Sequence, residues 1–339
     1  NYPMHHWPQP MMPIPVGMIP MMQPNGKNQQ MMQPQMVNFI PPTLPDGSYN
    51  FMMNNPTVNN FTYKGVNNGM SKYAHTLNQI ESVAEYVGEL YEMCTDHQGS
   101  RLLQDIMTVN DLTMIKNELL GHATELSVDP FGNYFIQKWI EIIPDIKGKI
   151  ELIGAIVGYN EDQAPNLSGS LTPQTDRLLS IAYNSHGTRT LQMAVSELRN
   201  NQQGIKFLKT IFKNRITLLS VDLNGNHVVQ ELLSSLKSDY LDFVIEQIEN
   251  NIVKIVTEKH GCCVAQRAID SGNAKQKNQL CTIILKDTIK FTKDPYGNYV
   301  IQYIMQKEKD QNNLMRKKQL TKSTSPKNED DYRYSMMII

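Results

Sequence analysis

The segment LNGNHVVQ at residues 223–230 decides how this chain is read, because its frame, Gly-x-x-x-x-Gln, returns five more times. The other copies are HQGSRLLQ at 97–104, PFGNYFIQ at 130–137, SHGTRTLQ at 185–192, KHGCCVAQ at 259–266 and PYGNYVIQ at 295–302. The closing residues are Gln104, Gln137, Gln192, Gln230, Gln266 and Gln302, in steps of 33, 55, 38, 36 and 36 residues. The long step contains YNEDQAPNLSGSLTPQTD, residues 159–176, which reads as an inserted polar loop; without its 18 residues the step becomes 37. A phrase recurring at this period marks stacked repeats, in which no unit can bury its apolar face alone.

Working outward from 223–230, each unit reads as helix–turn–helix. Upstream, QGIKFLKTIFKN carries Ile205, Leu208 and Ile211 at the spacing of an amphipathic first helix. Asp222-Leu223-Asn224-Gly225 stops one helix and starts the next, whose buried stripe is Val229, Leu232 and Leu233. The fifth unit repeats this with Phe243, Ile245, Ile248 and Ile252, then Val264, Ala265 and Ala268. The predicted fold class is an all-α, right-handed solenoid.

Within the phrase, the residue after Gly and the closing Gln stand four apart, so they share one face of the second helix. The pairs are Ser100/Gln104, Asn133/Gln137, Thr188/Gln192, Asn226/Gln230, Cys262/Gln266 and Asn298/Gln302. Beside them runs a second column: Arg101, Tyr134, Arg189, His227, Cys263 and Tyr299. Rings and guanidinium groups at one-repeat intervals make slots for flat bases, each stacked base contributing about 1–3 kcal/mol. The amides offer donor and acceptor together, as a base edge requires. A single Asn or Gln at a helix start is ordinarily a cap or a solvated residue. Capping, however, does not call for Gln five residues after Gly in every unit. An extended peptide gripped by a helical scaffold is the second reading, but it has no need of stackers alternating with base-edge amides. An RNA-processing enzyme is the third, disfavoured because no GxGxxG, P-loop, HExxH or GxSxG phrase occurs. No catalytic residue, metal or cofactor is expected.

The six phrases resemble the Pumilio-homology repeats of the PUF family, with LNGNHVVQ, KHGCCVAQ and PYGNYVIQ the nearest. The resemblance covers about residues 75–306 and extends to the order of repeat types, Ser-Arg, Asn-Tyr, Thr-Arg, Asn-His, Cys-Cys and Asn-Tyr. It implies a crescent that binds single-stranded RNA antiparallel to the protein, one base per repeat. It also implies action on messenger RNA 3′ untranslated regions in the cytoplasm, in repression, decay or localisation, with deadenylation machinery as a protein partner. On this code, Asn with Gln implies uracil, and Ser, Thr or Cys with Gln implies adenine. From the sixth repeat to the first, the target becomes 5′-UAUAUA-3′. Cys263 departs from the usual planar stacker, so its slot should grip more weakly. The family normally has eight repeats, and the pattern here stops after six, which points to a truncation or an altered reading frame.

The flanks differ from the repeats. Residues 1–70 hold 12 of the 20 Met and 12 of the 18 Pro, with three charged side chains, Lys27, Asp46 and Lys64. Such composition cannot offset the entropy of ordering and reads as a disordered tail. Residues 71–306 form the predicted repeat domain, and 307–339 a charged tail without a further phrase. The chain starts at Asn1, as a fragment would. No run approaches the roughly 18 apolar residues of a membrane span, so no membrane partner is expected. Four cysteines without CxxC spacing fit a reducing compartment, with Cys94 and Cys281 read as small buried side chains. Residues 69–306 carry 22 Lys and Arg against 27 Asp and Glu. A domain that held RNA by phosphates alone would be basic, so base contacts must carry the binding.

Overall fold

The computed structural model describes residues 73, 82–159 and 171–323, with side chains through 310. The expected disorder of residues 1–70 lies outside the described residues, as do 160–170 of the polar loop and 324–339 of the tail. The described chain is helical throughout and contains no strand. A short 3-10 turn at Val83–Tyr86 leads into α1 (Leu90–Thr95) and α2 (His97–Ile106). The second repeat is α3 (Leu112–Leu119), α4 (Ala123–Val128) and α5 (Gly132–Ile142), and the third is α6 (Ile146–Val157), α7 (Arg177–Tyr183) and α8 (Gly187–Leu198). The fourth is α9 (Gln202–Phe212), α10 (Ile216–Val221) and α11 (Gly225–Ser235); the fifth is α12 (Asp242–Asn250), α13 (Ile252–Val256) and α14 (Gly261–Ser271). The sixth is α15 (Ala274–Lys286), α16 (Thr288–Lys293) and α17 (Gly297–Ser323).

The expected helix–turn–helix unit is therefore corrected to three helices. A short helix of five to seven residues stands between the two long ones in repeats two to six. In the fifth repeat the first helix ends at Asn250, so Ile252 opens the short helix instead of continuing the stripe of Ile245 and Ile248. Phe243 packs against the core only in part. Elsewhere the stripes are as expected: Ile205, Leu208 and Ile211 are buried, as are Val229, Leu232 and Leu233.

The last helix of each repeat packs on the last helix of the next, α2 on α5, α5 on α8, α8 on α11, α11 on α14 and α14 on α17. A single apolar core runs through the stack, with Trp139, Phe135, Phe212 and Phe291 among its largest fully buried side chains. The fold is an all-α solenoid. Polar ties cross it where a carboxylate finds a cation: Lys149 pairs with Glu197, and Asp176 Oδ2 accepts from Arg215 Nε at 2.8 Å. The polar stretch 159–176 begins just after Gly158, whose φ of 66° closes α6 in the left-handed region that glycine enters without strain. It ends in Asp176, which is buried and caps α7. The sixth repeat differs from the others. Its last helix spans 27 residues, and the chain keeps helical form well past 306, where the tail was expected to begin.

Candidate nucleic-acid interface

The start of the last helix of each repeat (α2, α5, α8, α11, α14, α17) is built around two positions three apart. An acceptor three positions before Gly takes the N–H of Gly and of the residue before it. Asp129 Oδ1 lies 2.8 Å from both Phe131 N and Gly132 N, and Asp222 Oδ1 lies 2.9 Å from Asn224 N and 2.7 Å from Gly225 N. Asp96, Asn184 and Asp294 do the same, while the longer Glu258 stands at this place in the fifth repeat. These side chains satisfy donors that the first helical turn leaves open. The recurring Gly answers a different demand, close approach. A Cβ at Gly261 would lie 2.2 Å from Ile255 O, and one at Gly187 would lie 2.4 Å from Ile181 O. At Gly187 and Gly261 the last helix thus rests directly on the backbone of the short helix, and only a hydrogen fits; at Gly225 and Gly297 the nearest atoms would be 3.1 and 3.0 Å away.

With the helices so set, the sequence-derived site residues fall into three rows. Arg101, Tyr134, Arg189, His227, Cys263 and Tyr299 are all exposed. Ser100, Asn133, Thr188, Asn226 and Cys262 are buried behind them, and Asn298 is half-buried. Of the closing glutamines, Gln137 is buried, Gln104, Gln192, Gln230 and Gln266 are half-buried, and Gln302 is exposed.

Hydrogen bonds divide the repeats into two kinds. In the Asn repeats, both hydrogens of the Asn amide go to carbonyls of its own turn: Asn226 Nδ2 donates to Asp222 O at 2.9 Å and to Leu223 O at 2.7 Å. Asn133 and Asn298 bond in the same way. The Asn oxygen then accepts from the glutamine, at 3.0 Å for Gln137, 2.7 Å for Gln230 and 3.1 Å for Gln302. Each such Gln is held in one orientation; Gln230 and Gln302 retain an oxygen acceptor and a second amide hydrogen, the complement of a pyrimidine or purine edge, whereas Gln137 Nε2 also donates to Asn133 O at 3.2 Å and retains its oxygen. In the hydroxyl repeats, the bond reaches into the next repeat instead. Ser100 Oγ donates to Phe131 O at 2.9 Å, and Thr188 Oγ1 donates to Asn224 O at 3.0 Å. Gln104 Nε2 turns to Ser100, and Gln192 Nε2 to His227 O at 3.4 Å. Cys262 Sγ lies 3.2 Å from Lys259 O.

Electrostatics favours neutral rings in this face. Burial, then the charges of His260 and Arg189, pushes the His227 imidazole below its usual range. Burial and Arg189 do the same to His186, and burial and Lys259 to His260. At neutral pH a ring so shifted is an uncharged imidazole. In the fifth repeat, the neighbouring Cys262 thiol draws Cys263 down to about 7, while Cys263 and burial push Cys262 up. Cys94 is buried as expected; Cys281 is only partly so. Among the described residues, no group of three or more His, Cys, Asp or Glu side chains could hold a metal ion, and no helix is long and apolar enough to cross a membrane.

Two rows were missed in the sequence: the capping Asp or Asn three before Gly, and the residue just before Gly. The first had a signal, since Asp96, Asp129, Asp222 and Asp294 share one offset. The second is heterogeneous (Gln98, Phe131, His186, Asn224, His260, Tyr296) and shows its use only in space, as where Asn224 Nδ2 reaches Tyr183 O at 2.7 Å.

The family model for a NOP9-like PUF repeat domain matches residues 152–337, and the model for the Pumilio-family RNA binding repeat matches 89–112 and 122–146. Pumilio homolog 12 of Arabidopsis thaliana is 34% identical over 231 residues, covering 67% of this chain and 36% of the relative. Pumilio homology domain family member 4 of Saccharomyces cerevisiae is 47% identical over 94 residues, covering 28% of this chain and 11% of the relative. The chain spans between 36% and 41% of the length of three Arabidopsis relatives that it matches. Among solved structures, the Puf4 RNA binding domain bound to the HO endonuclease RNA 3′ UTR recognition sequence aligns with a TM-score of 0.56 at 34% identity, covering 67% of this chain and 65% of that one. The Puf3 RNA binding domain bound to Cox17 RNA 3′ UTR recognition sequence site A aligns at 0.51 and 26% identity, covering 68% and 62%.

Proposed function

We propose, for a chain that belongs to the Pumilio (PUF) family of RNA-binding repeat proteins, that it binds single-stranded A/U-rich RNA in messenger 3′ untranslated regions. The observation that carries this is the register of the rows: six exposed flat, cationic or thiol side chains, each with an oriented or half-buried amide behind it, one per repeat. Stacking supplies sequence-tolerant affinity, and the held Gln edges supply discrimination. The acidic balance of the repeats fits an interface that relies on bases more than on phosphates. The assignment of uracil to the Asn repeats and adenine to the others gives 5′-UAUAUA-3′. No catalytic step belongs to this reading. A cytoplasmic role in messenger repression, decay or localisation, with deadenylation proteins as partners, follows from the family. Selection from a random RNA pool tests the core of it: enrichment of alternating U and A supports the reading, and recovery of duplex or unrelated motifs rejects it.

The assignment of readers has its own test. Guanine offers two donors on its pairing edge, for which a carboxylate is the natural acceptor, so Asn226→Ser with Gln230→Glu should turn the fourth slot from uracil to guanine. A good bidentate match contributes about 1–3 kcal/mol, so preference should move at that base alone. Titration of RNAs varied at each position reads this directly, and an unchanged uracil preference at the fourth slot would remove Asn226 and Gln230 as readers.

A further inference from the structure

Five of the six repeats bury the residue eight positions after Gly: Met107, Ile140, Val195, Leu233 and Ile269. In the sixth repeat that position is Met305, which is 63% exposed. The residue eight positions before Gly turns toward the following repeat with the same regularity. Tyr91 donates to Glu125 Oε2 at 3.4 Å, Thr124 Oγ1 to Ile156 O at 2.8 Å and Thr217 Oγ1 to Gln247 O at 3.4 Å, each bond reaching one repeat on. The sixth repeat carries Ile289 at this place, 76% exposed. Both are apolar side chains at positions that elsewhere meet a neighbour. The sixth repeat therefore ends in an apolar face that nothing among the described residues covers.

We propose that the segment YRYSMMII, residues 332–339, docks on this face, over Ile289 and Met305. Six of its eight residues are apolar or aromatic, against three of the 25 in 307–331, so it is the stretch of the tail with area to bury. The length of chain allows the return. From Met305 to Ser323, α17 rises 18 residues, about 27 Å. The 13 residues from Ser323 to Met336 reach about 43 Å when extended. Ser325-Pro326, just past the helix, favours the turn that such a return needs. Charge points the same way. Residues 307–323 carry six Lys and Arg against two Asp and Glu, while Glu329, Asp330 and Asp331 stand just ahead of the segment. A chain returning beside α17 sets acid against base. A tethered segment also acts at a millimolar effective concentration, which a second copy of the chain does not match in dilute solution.

The test uses the full chain in hydrogen exchange read by mass spectrometry, with the free peptide of residues 328–339 as reference. Amides of 334–339 in the chain should exchange about tenfold or more slowly than in the peptide. Ile289→Glu/Met305→Glu changes two exposed positions and leaves the core alone, and should return these amides to the peptide rate. Met336→Ser/Met337→Ser/Ile338→Ser alters only the tail, and should raise the fluorescence of bound anilinonaphthalene sulfonate severalfold as the face opens. Exchange at the peptide rate in the unaltered chain overturns the proposal. Sedimentation as a dimer would then give the face to a second copy, and sedimentation as a monomer would leave it open. Protection that survives Ile289→Glu/Met305→Glu overturns it too, because the tail is then held elsewhere, and so does unchanged dye fluorescence in the tail variant.

Discussion

Replacing Asp176 with Ala should destabilise the repeat stack by about 3–5 kcal/mol, as expected when one member of a buried ion pair is removed. The carboxylate performs two tasks at one junction. Its Oδ1 accepts from Leu179 N at 2.9 Å and caps α7, and its Oδ2 accepts from Arg215 Nε at 2.8 Å, tying the third repeat to the fourth. Arg215 is 12% exposed in its side chain, so it would be left charged and largely out of water. The carbonyls of Ile211 and Lys213 would remain to it at 2.9 and 3.3 Å, and these bring no charge. Asp176→Asn keeps its one oxygen for the cap and loses the acceptor that faces the guanidinium, so it should lose less than Asp176→Ala by about the contribution of the cap. Urea unfolding of the three proteins checks the order; equal loss in both variants would place the effect in the pair and not in the cap.

Gly261→Ala is the second large effect. In an ordinary helix this change stabilises by about 1 kcal/mol through backbone entropy. Here the new methyl would meet Ile255 O at 2.2 Å and Ile255 C at 2.9 Å, backbone atoms that cannot rotate aside. Overpacking of this kind costs about 1–3 kcal/mol and occasionally more, and the upper end is expected because α13 must shift as a whole. Gly121→Ala is the control, since nothing lies within 4 Å of its Cβ position. Thermal unfolding should show a large drop for the first and little change for the second; matching behaviour would mean that the Gly column is not set by contact.

These two sites mark where sequence reading succeeds and where it stops. The Gly column was visible because it recurs, and repetition along the chain is one-dimensional information. Its cause was not visible, because the carbonyl it meets belongs to a short helix. Segments such as Ile252–Val256 hold five residues, little more than one turn, too few to display a period of 3.6. Asp176 closes a run of polar residues and so read as loop; its partner lies 39 positions later and no local pattern announces it. The three rows of the candidate interface could be placed on one face residue by residue, since period and helix geometry together define a face. The locking of each Asn onto carbonyls of its own turn was not, because it depends on which way an amide points.

That division between Asn and hydroxyl repeats bears on how far the array is modular. Where the residue after Gly is Asn226 or Asn133, its bonds close within one repeat, so exchanging it should change a slot and little else. Where it is Ser100 or Thr188, the same atom that is proposed to border the base also fastens one repeat to the next. Altered specificity in the second, fourth and sixth slots should therefore combine by simple addition, as independent sites do. In the first and third slots, a new letter also loosens a joint, and the cohesion of the array changes along with its text.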